Sequence, residues 1–580
     1  MADGMEAGEA ESKRAGAALL LARGPLARAR NIGRRAGARM VAGRADTGLR
    51  LARAAGLASI LESQRWRDEL FHRLAFAAGL ALLLSAAFRR SGWFFDRDGH
   101  GFLALLAAFG LAAFLRGDPG GWRLTQGSRG GRLPLAAACC IGLALLYAAR
   151  SLGSPVSVQG SVEEALRWLS FGSLALVLAA WQRKERRPES AVSAAAWALQ
   201  GFSAFAAASS LAAWCGWIVG PDFMLRTADG RLSATGARLA GYLQYSNALG
   251  AFAAALLAWQ WLVLARSGSP RLRRSAAWLA PPCLAVLLLS ESRGALLALL
   301  AAAVPGLLLA RRLSSRAEPG PGRRELRAER LRWLLAAWSS LPGAAALVAL
   351  ARFRERATEA ALAQDAAVWL ALLAASAAGA VWIERTMAAS SERLSQPATA
   401  AAAGPAAVLH AGIRSAAVLL LGAAAALSLS RGGGWDRFDP AEPTSAATGA
   451  SRLLLYRDGW AAARESWLLG YGARAWELLR GSFQSAPYAA GEVHSGYLDM
   501  LLTAGAPGLA LLLALGAALL AAAGAKGALG AVPAASLLLH AAIDVDMCYG
   551  AYWLLLLVLS AAGASLAPPA SAARTEGGDG

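Results

Sequence analysis

The chain has 580 residues, is 56% hydrophobic, and carries a formal net charge of +20. That much apolar sequence excludes a soluble globular domain. Apolar runs such as 248–265 and 508–524 approach the roughly 20 residues a helix needs to cross a ~30 Å hydrocarbon core, so the chain reads as a polytopic membrane protein. The positive charge would suit nucleic acid in a soluble protein, but the basic clusters 182–187, 266–274 and 311–332 lie between apolar runs. That is the positive-inside pattern, and no nucleic-acid partner is expected.

The fold class is all-α: a polytopic transmembrane helical bundle of about 12–14 spans, with one long extracytoplasmic loop containing short interfacial helices. Residues 1–70 are a basic, Ala/Gly-rich cytoplasmic tail without a long early apolar core, so no cleavable signal peptide is read. Within it, 50–71 reads either as an amphipathic helix on the anionic inner leaflet or as a poorly ordered tail. Residues 71–234 hold the first transmembrane helices, with spans at 71–88, 101–115, 133–149, 165–182 and 192–219. Residues 235–565 hold the second set, at 240–265, 275–290, 295–310, 331–351, 360–383, 405–430, 497–523, 528–543 and 547–565, and 566–580 is a disordered tail. Alternating from a cytoplasmic N-terminus, the three basic clusters fall inside and loops 150–164, 220–239 and 431–496 fall outside. The segment 352–359 conflicts, being basic yet assigned outside. The five cysteines, Cys139, Cys140, Cys215, Cys283 and Cys548, sit in or beside apolar runs without metal-ligand spacing and read as small buried residues.

The loop 431–496 is the longest exterior segment, and loops of this length are uncommon without a function. Its stretch 452–467 puts Leu453, Tyr456, Trp460 and Trp467 on one helical stripe, with Arg457 and Arg464 on a flank. This predicts a helix lying on the outer membrane surface.

Three polar elements fall on that outer side. The first is the tight turn Glu291-Ser292-Arg293-Gly294; alone, Arg293 reads equally as a snorkelling helix-end arginine. The second is 238–251, bringing Arg238, Tyr242, Gln244, Tyr245 and Asn247; alone, it is an aromatic belt with a helix-capping Asn. The third is the loop itself, with Arg452, Arg457, Arg464, Tyr488, Glu492 and His494. A His at a loop-to-helix junction is often a cap or a surface residue, but Glu492 two positions earlier invites a base or positioning role. Together these point to a site for a lipid-linked diphosphate, because guanidinium groups bind phosphate bidentately and a His or carboxylate can take a proton from an attacking hydroxyl. The long loop has no Asp-x-Asp pair for a divalent metal, so Arg would have to neutralise the leaving group. Asp544 and Asp546, near His540, could in principle hold a metal, but they are read as hydrated carboxylates in the turn between the last two spans.

In order along the chain come Tyr245-Ser246-Asn247-Ala248, Ser290-Glu291-Ser292-Arg293-Gly294, 452-RLLLYRDGW-460, 470-GYGARAW-476, 492-EVHSGYLDMLLTAGAPGL-509 and the tail 540-HAAIDVDMCYGAYWLLLL-557. The set resembles the O-antigen ligase / O-antigen polymerase superfamily of membrane glycosyltransferases, in its Gram-positive type, over about residues 235–565. The resemblance implies an enzyme needing no metal or cofactor. It would take a glycan from an undecaprenyl-diphosphate-linked donor and pass it to an acceptor hydroxyl on a glycan, lipid or protein, at the outer face of the cytoplasmic membrane. It implies diphosphate binding by Arg293 with Arg238, Arg452 and Arg457, catalysis at His494 with Glu492, and further substrate contacts at Tyr245, Asn247 and Tyr488. The chain departs from the family's usual pattern at Ser246, Ser495 and Asp499. A transporter or flippase of an anionic or lipid-linked glycan is the alternative; such a protein should show an internal repeat and paired broken helices. No repeat is evident, and the polar residues gather at one face.

Overall fold

A computed structural model describes residues 70–93, 99–101, 103–105, 108, 132–184, 193–229, 232–317, 321–356, 362–395, 443–488 and 490–566. The chain divides into two units, Met1–Ala75 and Phe76–Gly580, and the first contributes only residues 70–75 to the described part. The tail reading at 50–69, the expected span 405–430 and most of the span 101–115 lie outside the described residues.

The described chain is mostly helical: α1 (Leu70–Arg89), α2 (Arg132–Ser151), α3 (Val158–Lys184), α4 (Ala194–Trp214), α5 (Ser246–Arg266), α6 (Pro270–Ser290), α7 (Arg293–Arg316), α8 (Pro321–Ser339), α9 (Leu341–Arg356), α10 (Leu362–Ser395), α11 (Pro443–Glu465), α12 (Ala475–Phe483), α13 (Gly496–Ala523), α14 (Val532–His540) and α15 (Gly550–Ser565). Among the described residues, eight helices are long and apolar enough to cross a membrane, and 528–540 and 550–565 are shorter apolar helices. The molecule is a multi-pass helical membrane protein.

Helices α5 and α15 form the core. Both are apolar on every side, so neither has a face to give to water, and each is buried along nearly its whole length. Helices α6, α7, α8 and α14 pack around α5, while α3, α4, α13 and α14 pack on α15. Alanine dominates α5 (248-ALGAFAAALLA-258), and small residues let helix backbones approach closely where apolar burial alone supplies no driving force.

Two ends of the bundle differ in chemistry. The Arg266 end collects the Arg-rich turn 266–274 and the flanks of the α7–α8 connection. There Arg266 donates Nε to Glu329 Oε1 (3.1 Å), a pair removed from water. The Ser246 end carries the connections 215–245, 291–292 and 466–495.

Three expectations change in detail. The loop after α4 forms a two-stranded antiparallel hairpin, β1 (Met224–Arg226) with β2 (Ala237–Leu239), Leu225 facing Arg238, so the fold is not purely helical. The expected span 331–351 is interrupted at Ser340, whose hydroxyl donates to Ala336 O (2.7 Å) and accepts from the Trp261 indole (3.1 Å). The basic segment at 352 does lie at the Ser246 end, as alternation required. The charge is accommodated because Arg352 pairs with Glu291 (3.5 Å) and stands 4.7 Å over the Trp214 ring.

Candidate functional site

At the Ser246 end, one buried carboxylate organises residues from two distant segments, 238–247 and the turn of α11 that carries Arg452. Asp544 Oδ1 accepts from the Tyr245 hydroxyl (2.8 Å) and the Val545 N–H (2.9 Å). Its Oδ2 accepts from Asn247 Nδ2 (2.9 Å) and Arg452 Nη2 (2.9 Å), while Arg452 Nη1 donates to Ile543 O (2.7 Å). Asn247 Oδ1 in turn accepts from Arg238 Nη2 (2.7 Å), so two guanidinium groups stand on either side of one Asn–Tyr–Asp unit. Burial alone would raise the Asp544 carboxyl, but Arg452, then His540 and His494, hold it below the usual carboxylate range.

This corrects two readings. Asp544 and Asp546 are not hydrated in an open turn; they are 1% and 0% exposed, because the turn after α14 folds inward and Asp546 pairs with His540. Asp544 accepts from four donors, and among the described residues no three His, Cys, Asp or Glu are arranged to hold a metal. Asn247 is not a cap: α5 starts at an extended Tyr245 with no side-chain capping bond, and the Asn side chain goes to Arg238 and Asp544.

The turn 290–294 explains itself residue by residue. The Ser290 carbonyl accepts from Arg238 Nε (3.1 Å). Glu291, left-handed at φ 51, ends α6 and accepts from the Ser233 hydroxyl (3.1 Å) and the Ala234 N–H (2.9 Å), which ties down the hairpin that carries Arg238. Ser292 caps α7 by accepting from Ala295 N (3.2 Å). Arg293 is the first residue of α7, half-buried, and the next residue must be small, since a Cβ on Gly294 would stand 3.1 Å from His540 Nε2. The backbone just after Arg293 therefore runs beside the His540 ring.

His494 lies at the N-terminal approach to α13, left-handed at φ 57. The adjacent Ser495 caps the helix by accepting from Leu498 N (3.4 Å), so His494 is not the cap. Its carbonyl accepts from the Tyr456 hydroxyl (3.0 Å), and its Nδ1 meets Glu492 O at 2.9 Å. A carbonyl only accepts, so Nδ1 carries a proton, and the tautomer this selects leaves its lone pair on Nε2. Gly496 N donates to Ala541 O (2.9 Å), which lays this segment alongside the Asp544 turn.

Glu492 points elsewhere. It lines a cavity of about 980 Å³, counted with its open mouth, together with Glu164, Arg167, Glu477 and Asp499. Burial, reinforced by the Asp499, Glu477 and Glu164 carboxylates, pushes Glu492 up to about 8. His494 and Glu492 therefore serve opposite sides of one strand of chain.

Two further expected residues stay apart from the Asp544 group. Tyr488 donates to Asp458 Oδ2 (2.7 Å), which also accepts from the Ser485 N–H (2.9 Å), and this ties the segment after α12 back onto α11. Arg457 is exposed on α11, five residues beyond Arg452 and so on a different flank. On α11 itself, Leu453 and Trp460 are exposed, whereas Tyr456 turns inward to His494. Glu291 was given no role of its own and Asp544 was read as hydrated, yet both organise the site; the signal was a carboxylate beside an apolar run, which rarely persists without a partner. Compared with known proteins, the chain matches no family model and no curated relative.

Proposed function

We propose that the chain is an O-antigen ligase-like glycosyltransferase. It moves a glycan from a lipid-linked diphosphate to an acceptor hydroxyl at the outer face of the cytoplasmic membrane. The observation that carries this reading is the meeting of Arg238 and Arg452 across Asn247, Tyr245 and Asp544, with Arg293 on the neighbouring turn. Such a concentration of guanidinium donors at a membrane-facing end suits a diphosphate, whose developing negative charge they would stabilise as it leaves. The acceptor oxygen attacks the anomeric carbon, the bond from that carbon to the diphosphate oxygen breaks with its electron pair, and the acceptor proton passes to His494 Nε2. Arg457 on α11 and Tyr488 after α12 then lie outside the diphosphate contacts.

The second reading, a transporter, has one observation in its favour: α13 is broken at Gly505 (φ 65, ψ −167). Broken helices line substrate paths in many transporters, but here the backbone groups at the break are taken up by residues 467–472 of the same chain.

The test uses purified protein in proteoliposomes with an undecaprenyl-diphosphate-linked glycan and a candidate acceptor. Transfer with release of undecaprenyl diphosphate is expected, and His494→Ala or Arg452→Ala should lower the rate by about 10²-fold or more with insertion unchanged. Movement of the intact lipid-linked glycan across the bilayer, with no glycosidic bond broken, would replace this reading with the transporter.

A further inference from the structure

The break in α13 at Gly505 receives an apolar turn from the chain that follows α11. Three backbone bonds seat the turn after α11 on the broken helix: Tyr471 N donates to Leu502 O (2.8 Å), Gly472 N to Thr503 O (2.9 Å), and Ala506 N to Trp467 O (2.8 Å). The fit admits no side chain at the contact, since a Cβ on Gly505 would stand 2.3 Å from Leu468 O and one on Gly470 2.5 Å from Thr503 O.

Helix α2 gives the depth of this contact. Its 20 residues span about 30 Å at 1.5 Å per residue, the thickness of a hydrocarbon core. It lies antiparallel to α13: Arg132, at its start, donates to Ala521 O, and the Tyr147 hydroxyl bonds Thr503 Oγ1 at 2.7 Å. Thr503 is therefore level with Tyr147, four residues, or about 6 Å, inside the end of α2. The turn bonded to residues 502–506 lies at that level. Its side chains Trp467, Leu468 and Leu469 are 59%, 51% and 63% exposed, and none is charged.

We propose that the turn 467–469 is a membrane-inserted wedge whose partner is the acyl chains of the leaflet at the Ser246 end. Its depth comes from the α2 register, and its side chains match that environment. Irregular backbone at this depth is tolerated because the helix break supplies hydrogen-bond partners from within the chain. The wedge stands independently of the glycosyl-transfer reading.

Leu468→Cys and Leu469→Cys, each in a chain with Cys548→Ser, are spin-labelled in lipid nanodiscs and compared with Pro487→Cys in the exposed part of the same loop. Power saturation should give collision with oxygen exceeding that with a neutral nickel chelate at 468 and 469, and the reverse at 487. Nickel-chelate accessibility at 468 and 469 equal to that at 487 would overturn the wedge. Should the labelled variants not fold, the unmodified chain is photolabelled with a lipid carrying a diazirine in its acyl chain. Carbene adducts mapped to 467–469 are expected, and their absence there while α7 and α10 are labelled would overturn it equally.

Discussion

Asp544 is the residue on which the candidate site depends most. Four donors converge on one carboxylate that is 1% exposed, so its loss leaves buried donors unpaired and one guanidinium without its counter-charge. Removing one member of a buried ion pair costs about 3–5 kcal/mol. Arg452 is 26% exposed and recovers part of that from water, so Asp544→Ala should cost roughly 2–3 kcal/mol, read as a lower unfolding midpoint in detergent. Because the folded-state carboxyl is held below its ordinary 3.8, its stabilisation is present above that pH and disappears as the pH falls through the folded value. The gap in stability between wild type and Asp544→Asn should therefore close as the medium is acidified below about pH 4; a gap that stays constant would mean the carboxylate charge contributes nothing.

At the scale of elements, the α11–α12 turn and the first part of α13 are one unit held by backbone contact. Gly505 and Gly470 both have left-handed φ (65 and 67), and both face backbone that cannot move aside. Gly505→Ala and Gly470→Ala should each cost about 2–4 kcal/mol. Gly491→Ala, which meets nothing within 4 Å, should change stability by less than about 0.5 kcal/mol. Since the first two act on the same contact, the double variant should cost less than the sum of the singles; strict additivity in thermal unfolding would show that the turn and the helix are not coupled. In the sequence, Gly470-Tyr471-Gly472 falls in the long exterior loop and 497–523 reads as one uninterrupted span, so Gly505-Ala506-Pro507 was not read as a break. Nor does the sequence show that the two segments meet, because hydropathy and turn chemistry are local while the contact joins segments 35 residues apart. Asp544 was read as hydrated for the same reason: in its own turn it has no partner, since Tyr245, Asn247 and Arg452 arrive from elsewhere in the chain.

For the whole molecule, helix direction sorts the chain into two chemical faces. The Arg266 end is dense in arginine and has few carboxylates to match it, whereas at the Ser246 end the charges form specific pairs such as Arg352–Glu291 and Arg452–Asp544. Eight of the expected spans were readable because each is a long local apolar run; the interruption at Ser340 was passed over because Pro342-Gly343 just after it does not lower the hydropathy of the run. If the Arg266 end is cytoplasmic, as the positive-inside rule expects, a membrane-impermeant maleimide added to intact cells should modify Pro487→Cys but reach Ser315→Cys only after permeabilisation, both in a Cys548→Ser chain. Labelling of both from one side would break the two-face arrangement.

On the proposed transfer reading, the Asp544–Arg452 pair would make the resting site its own competitor. An incoming anion would have to displace a carboxylate that is already seated, so a weakly charged headgroup would gain little, while one presenting several oxygens to both arginines would gain more than it displaces. After transfer the same carboxylate would be waiting to reclaim its guanidinium. Selectivity on entry and ejection of the spent lipid carrier would then come from one side chain that need never touch the sugar.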